Sequence, residues 1–365
     1  MWPRLGVLYD APMVRALAMI ALLAACSFRS TATGSTDTSP DAPSDTTETL
    51  PPNCFGTGLD VRVCLSAPPS GDFHVTSNRT VDTTSGPPCD PDITTYCVIA
   101  GTAIQIDQGR TLGVSGTRPL ILISMGQLGI DGVLDVASHL VTPQQVGPGA
   151  DSPLCHAGTV AANRGGGSGG SLGTKGGNGG PAGGAMAGAT LVPATLQGGC
   201  KGSDGAGGGQ LGHGGGAVYL IATSISVNGS INASGESGTG TANDGRGGGG
   251  GGSGGMIVFD APSLFVAPTA QIFANGGGGG EGTGGNTGND GIDPSGPSAG
   301  GAGGGGASTG GDGGAGGFGT ADGGAGAPGA NVGTEGGGGG GGGAGIIKVF
   351  RAPIPSSGMV SPPFS

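Results

Sequence analysis

The chain has 365 residues, and 92 of them are Gly, a quarter of the chain against a usual share of roughly 7%. Aromatic residues make up 4% and charged residues 10%, so neither strongly charged disorder nor a large aromatic core is available. The formal charge is −11, and removing residues 1–25, whose Arg4, Arg15 and Asp10 sum to +1, leaves −12. Such a chain repels phosphate backbones, which excludes nucleic acid as a partner.

Residues 16–25, ALAMIALLAA, follow Arg15 and form an apolar run about half as long as a bilayer span. Residues 1–25 are therefore expected to be a signal peptide rather than a membrane helix, with Met13-Val14-Arg15 offering a compact basic start of its own. The run ends Leu23-Ala24-Ala25-Cys26, which resembles the lipobox of bacterial lipoproteins. That resemblance implies that Cys26 is acylated on its sulfur and its amine, and more than one acyl chain is what stable anchoring requires. Ser27 stands where an Asp would retain such a protein in the inner membrane, so the resemblance implies delivery to the outer membrane or cell surface of a Gram-negative bacterium. Residues 27–53 hold 5 Ser, 7 Thr, 4 Pro and 3 Asp among 27 positions. With little to bury, residues 26–53 read as a tether with a reach of about 30 Å.

Six further cysteines follow: Cys54, Cys64, Cys89, Cys97, Cys155 and Cys200. An even number in an oxidising compartment predicts three disulfides. Sequence permits fifteen pairings, but proximity favours Cys54–Cys64 and Cys89–Cys97, which leaves Cys155–Cys200. Residues 54–96 are expected to be a small disulfide-containing β module. Zinc at Cys155, His156, Cys200, His139 and His213 fits no compact ligand spacing, so no metal and no other cofactor is expected.

Residues 97–365 carry an internal repeat. Ile225, Val227, Ile231 and Ala233 overlay Leu128, Ile130, Leu134 and Val136 at a shift of 97 positions, and AVYLIA (217–222) recurs as MIVFDA (256–261) after 39. Leu264, Val266, Ile272 and Ala274 form another copy; Ile104, Ile106, Leu112 and Val114 form an earlier one, and IIKVFRAP (346–353) begins a last one. Short strands with period-two alternation that cannot bury their faces alone predict an all-β fold, a right-handed parallel β-helix-like solenoid of few coils. The alternative is a β-sandwich with disordered Gly loops. In either fold, residues 139–216, 236–255 and 277–345 are expected to leave as long glycine-rich insertions. Residues 277–345 hold 37 Gly in 69 positions, with Ile292, Phe318 and Val332 as the large apolar side chains. No hydrophobic core orders such a stretch, so deleting residues 300–330 is expected to leave the fold intact.

Gly recurs at every third position in stretches, as in Gly167, Gly170, Gly173, Gly176 and Gly179, and again from Gly311 to Gly329. Three residues per turn is the polyproline II period. The run Gly336–Gly343 breaks the collagen register, which leaves disorder or polyglycine II helices bonded sideways, with partial order expected near the strands. The tracts resemble those of glycine-rich adhesin tips and PGRS-type surface proteins, although the helical PE module of the latter is missing.

No constellation specifies a reaction, and no catalytic residue is assigned. Gly212-His213-Gly214 is similar to a galacturonase His motif but lacks the accompanying Asp and Arg/Lys pairs. Glu236, Asp244, Glu281, Asp290, Asp293, Asp312, Asp322 and Glu335 are scattered through the tracts and read as solubilising. Gly288–Asp293 is one copy of a calcium β-roll motif that works only in stacks. The leading expectation is a non-enzymatic surface lipoprotein with a structural or adhesive role. It meets the bilayer through Cys26 and a surface polysaccharide or cell-surface protein through its body. A carbohydrate-active β-helix enzyme is the first alternative, testable by whether Asp107, Asp131, Asp135 and Asp260 converge. A calcium- or ice-binding repeat module is the second.

Overall fold

The computed structural model describes residues 53–141, 144–242 and 245–365. The signal peptide, Cys26 and the tether up to residue 52 lie outside the described residues, as does Asp244.

A short antiparallel pair, β1 (Cys54–Phe55) and β2 (Val63–Cys64), opens the described chain. Five triplets of short strands follow. They are β3 (Phe73–Val75), β4 (Arg79–Asp82) and β5 (Cys97–Gly101); β6 (Ile104–Ile106), β7 (Thr111–Ser115) and β8 (Leu120–Ser124); β9 (Gln127–Ile130), β10 (Val133–Asp135) and β11 (Ala217–Ile221); β12 (Ser224–Val227), β13 (Ser230–Asn232) and β14 (Met256–Asp260); β15 (Ser263–Val266), β16 (Gln271–Phe273) and β17 (Ile346–Phe350). A last strand, β18 (Met359–Ser361), closes the series.

Every third strand pairs, so three parallel sheets form in the orders β15-β12-β9-β6-β3, β18-β16-β13-β10-β7-β4 and β17-β14-β11-β8-β5. The repeat supplies the register. Ile225 lies beside Leu128, Ile231 beside Leu134, and Ala217 beside Met256. Alternating segments such as IQI and SISV point their apolar residues inward, whereas LILIS, AVYLI and MIVFD are buried on both faces and read as continuous apolar runs. One face of this last sheet packs Leu120, Leu122, Leu220 and Phe259 into the central core. Its other face packs Ile121, Ile123, Tyr219 and Val258 against Val61, Val63 and Leu172.

The expected fold class is thereby corrected. The described residues contain eighteen strands and no helix, arranged as stacked parallel sheets of five or six strands rather than as a solenoid of few coils carrying long insertions. The β-sandwich alternative is corrected by the same pairing, since all pairs within the three sheets are parallel. Within 54–96, moreover, β3 and β4 join the large sheets.

The glycine stretches are not loops. Residues 336–343 run through the middle of a packed body in which each successive amide turns to a different neighbour. The N–H groups of Gly336, Gly339 and Gly342 donate to the carbonyls of Thr283, Gly280 and Gly277; those of Gly337, Gly340 and Gly343 donate to Arg164, Gly167 and Gly170; those of Gly338 and Gly341 donate to Ala327 and Gly324. The carbonyls of the same segment accept from Gly311, Gly314 and Gly317, from Gly248, Gly251 and Gly254, and from Gly180 and Gly177. Partners advance or retreat by three, which is the polyglycine II pattern: a threefold backbone with no internal bonds, linked sideways to surrounding strands.

Close approach, not unusual backbone angles, requires glycine here. A Cβ on Gly339 would stand 1.9 Å from the carbonyl oxygen of Gly249, and one on Gly340 2.2 Å from that of Gly177. The neighbouring carbonyl occupies the space a methyl would need and lies against a Cα hydrogen instead.

Three disulfides, Cys54–Cys64, Cys89–Cys97 and Cys155–Cys200, complete the frame. The third spans 45 positions, a loop whose closure stabilises the folded chain by about 4 kcal/mol in the chain-entropy account.

Gly339→Ala should cost about 3 kcal/mol or more, whereas Gly333→Ala, whose Cβ would meet nothing closer than Asn331 Oδ1 at 3.6 Å, should melt like the wild type. Deleting residues 300–330 should prevent cooperative folding, reversing the expectation from composition, because Gly311, Gly314 and Gly317 bond to the central segment. Ile231→Asp buries a carboxylate in the core and should unfold the protein in a thermal melt.

Candidate functional site

A group of titratable side chains sits where the sheets meet the glycine body. It begins at the end of β10, where Asp135 accepts a hydrogen bond from Nε2 of His139 at 3.1 Å. Nδ1 of the same ring lies 3.7 Å from Asp293. Asp293 also accepts from the amide of Leu140 at 2.9 Å and from the amide and hydroxyl of Ser237, both at 2.8 Å. Donation to Asp135, then to Asp293, raises the His139 pKa to about 10 against the opposing effect of burial. Burial pushes the carboxyl of Asp293 up, but its hydrogen bonds from His139, Leu140 and Ser237 outweigh it and the pKa is lowered.

A second set adjoins the first. His213 Nδ1 bonds to Asp151, whose other oxygen accepts from the Gly214 amide at 3.0 Å. The His213 amide donates to Glu236 at 3.1 Å, and Gln144 Nε2 donates to the other oxygen of Glu236. Glu236 is fully buried, and burial raises its pKa; the bond to Asp151 raises that of His213. Beside them Gln144, Lys201, Asp204, Gln210 and His213 line an open depression.

Chemically, both sets fix backbone. Each carboxylate accepts main-chain amides or holds a histidine that sits between a strand end and a glycine segment. The same role recurs deeper in the glycine body, where Glu281 is fully buried and accepts from the amides of Asn289, Ala307 and Ser308 at 2.9, 3.2 and 2.9 Å. Asp290 accepts from the Gly240 amide, Asp312 from Gly306, Asp322 from Lys175 and Glu335 from Asn331. The expectation that these acids only solubilise the tracts is corrected. At the turns between glycine segments, amides lose their sideways carbonyl partner, and a carboxylate replaces it.

Asp107, Asp131, Asp135 and Asp260 do not converge as a group: Asp107 and Asp131 follow the paired Ile106 and Ile130 on adjacent rungs, whereas Asp135 and Asp260 lie in the other two sheets. Asp107 pairs with His74 at 2.6 Å, Asp131 accepts from Gln105 and Asn228, and Asp135 holds His139. Asp260 is fully buried in the third sheet, where it accepts from the Tyr219 hydroxyl at 2.6 Å, the Thr57 amide at 2.7 Å and the Arg351 guanidinium. Burial first, then this hydrogen bond, raises the Tyr219 pKa. Cys155 and Cys200 are joined to each other, His156 is exposed beside them, and no cluster of three or more metal-ligating side chains occurs among the described residues. Alternation from the inward Ile231 turns Asn232 to the other face of β13, yet Asn232 is buried at 8% exposure and accepts from the Ser234 amide at 3.0 Å, because the chain that follows β13 enters the glycine body.

No family model, no curated protein and no solved structure matches the chain.

His139 supplies a pH test. Its pKa is raised on folding, so its stabilising charge is fully present below the unfolded value near 6.5 and is lost as pH rises through about 10. The melting temperature of the wild type should fall from pH 7 to pH 10, and His139→Gln should remove that part of the slope. Glu281→Gln places an amide N–H against backbone donors and should cost about 1–3 kcal/mol in denaturant titration.

Proposed function

We propose that the protein is a lipid-anchored, non-enzymatic component of the outer membrane or cell surface, with a structural or adhesive role. The observation that carries this reading is Leu23-Ala24-Ala25-Cys26 at the end of a short apolar run, followed by a Ser/Thr/Pro/Asp tether over residues 26–53. In the lipoproteins it resembles, such a cysteine is acylated. The body beyond the tether supports the reading through its construction. Its sideways-bonded glycine backbones, tied to strand ends by carboxylates, and its three disulfides suit a rigid object exposed to an oxidising exterior. No helix among the described residues is long and apolar enough to cross a membrane, so the anchor in this reading is the lipid on Cys26.

Metabolic labelling with a palmitate analogue tests it. The wild type should carry the label and Cys26→Ala should not. Label that persists on the mutant, or a wild type that never acquires it, overturns the lipoprotein reading.

A further inference from the structure

We propose that the outer face of the sheet β15-β12-β9-β6-β3 binds a neutral pyranose polysaccharide, with Phe265 as its stacking platform and Gln105, Ser226 and Asn228 as its hydroxyl-binding groups. The inference rests on the surface-exposed reading above and names the partner of that surface.

Strand alternation sends Val266 into the core and leaves Phe265 on the outer face, 54% exposed. Parallel register sets Ser226 beside Phe265, and Gly129 beside Ser226. Because Gly129 has no side chain, Gln105 lies across it; a Cβ there would meet Gln105 Oε1 at 2.0 Å. Gln105 thereby reaches Asp131, donating from Nε2 to Oδ2 at 2.8 Å. Asn228 donates from Nδ2 to the other oxygen of Asp131 at 2.7 Å and to Ser226 Oγ at 3.3 Å.

One carboxylate thus orients two amides from opposite sides. The two amide oxygens, Gln105 Oε1 and Asn228 Oδ1, and the Ser226 hydroxyl hydrogen have no partner among the described residues. A flat aromatic ring next to oriented amide and hydroxyl groups matches a pyranose, which offers an apolar C–H face and a rim of hydroxyls. Groups fixed before binding lose little further freedom when the ligand arrives.

Charge selects a neutral polymer. The five strands contain no Lys or Arg, and the imidazole of His74 on β3 is engaged with Asp107 at 2.6 Å. Asp131 is engaged on both oxygens. A uronic acid chain would meet the carboxylates Asp107 and Asp131 at this face, on a protein whose formal charge is −11.

Native affinity electrophoresis of the full mature chain through gels containing laminarin, dextran or galactomannan, with polygalacturonate in parallel, tests the proposal. At least one neutral polymer should retard the wild type and polygalacturonate should not. Phe265→Ala should weaken retardation by at least about tenfold with an unchanged melting temperature, since its ring is over half exposed. Asn228→Ala should weaken it, and Ser263→Ala, on the adjacent outward row beside Ser224, should not. Absence of retardation by every neutral polymer overturns the proposal, as does retardation by polygalacturonate alone or full retardation of Phe265→Ala. Palmitate labelling of the same preparations separates the two readings. Labelled protein that ignores neutral polymers overturns this inference alone, and unlabelled protein that binds them through Phe265 overturns the anchored reading alone.

Discussion

The structure depends on one constraint: amides in the glycine segments must find their partners sideways, at a spacing that admits no Cβ. A polyglycine II backbone makes no bonds to itself, so a single segment in water gains nothing by becoming straight. Ordering each residue costs about 1–2 kcal/mol of backbone entropy, and one hydrogen bond returns about 0.5–1.5 kcal/mol. Order therefore emerges only when a segment is surrounded. Residues 336–343 meet this condition, with neighbours that include 164–170, 248–254, 277–283 and 311–317.

The three sheets make that encirclement achievable. Glycine segments leave after β10, β13 and β16 and return at β11, β14 and β17, so the strand register places their ends at adjacent rungs. Gly255 and Gly345, immediately before β14 and β17, already bond as glycine-body neighbours: Ile346 donates to Gly255 and Gly345 donates to Ala274. Sheet pairing passes into glycine pairing without a break. The carboxylates Asp293, Glu236 and Glu281 then serve the amides that the turns leave over. In this frame buried acids are structural necessities, because an unpaired buried N–H costs about as much as the bond it forgoes.

A body built this way has few side chains available for chemistry. In the proposed reading recognition falls to the sheets, whose outward rows carry residues such as Gln105, Ser226 and Phe265 at fixed rungs. On the proposal of a surface lipoprotein, the glycine packing supplies a rigid support and the outward sheet face supplies the contact with a partner.

How much of this was legible in the sequence differs from element to element. The strands and their register were readable, because alternation at Ile225, Val227 and Ile231 and the shifts of 97 and 39 positions are one-dimensional patterns that the pairing preserves. Cysteine parity and proximity pointed to the three disulfides found, and the three-residue glycine period pointed to polyglycine II. The association of the strands into stacked parallel sheets, the joining of β3 and β4 to them, and the interior position of residues 336–343 were not readable. A glycine carries no side chain to mark which neighbour its amide will face, and Glu236 and Glu281 look like any surface acid until the turn amides around them are in place. Composition could show that only glycine would tolerate such packing. Which segments pack, and which acids complete them, is decided by hydrogen bonds between residues far apart in the chain, and these exist only once the tertiary structure has formed.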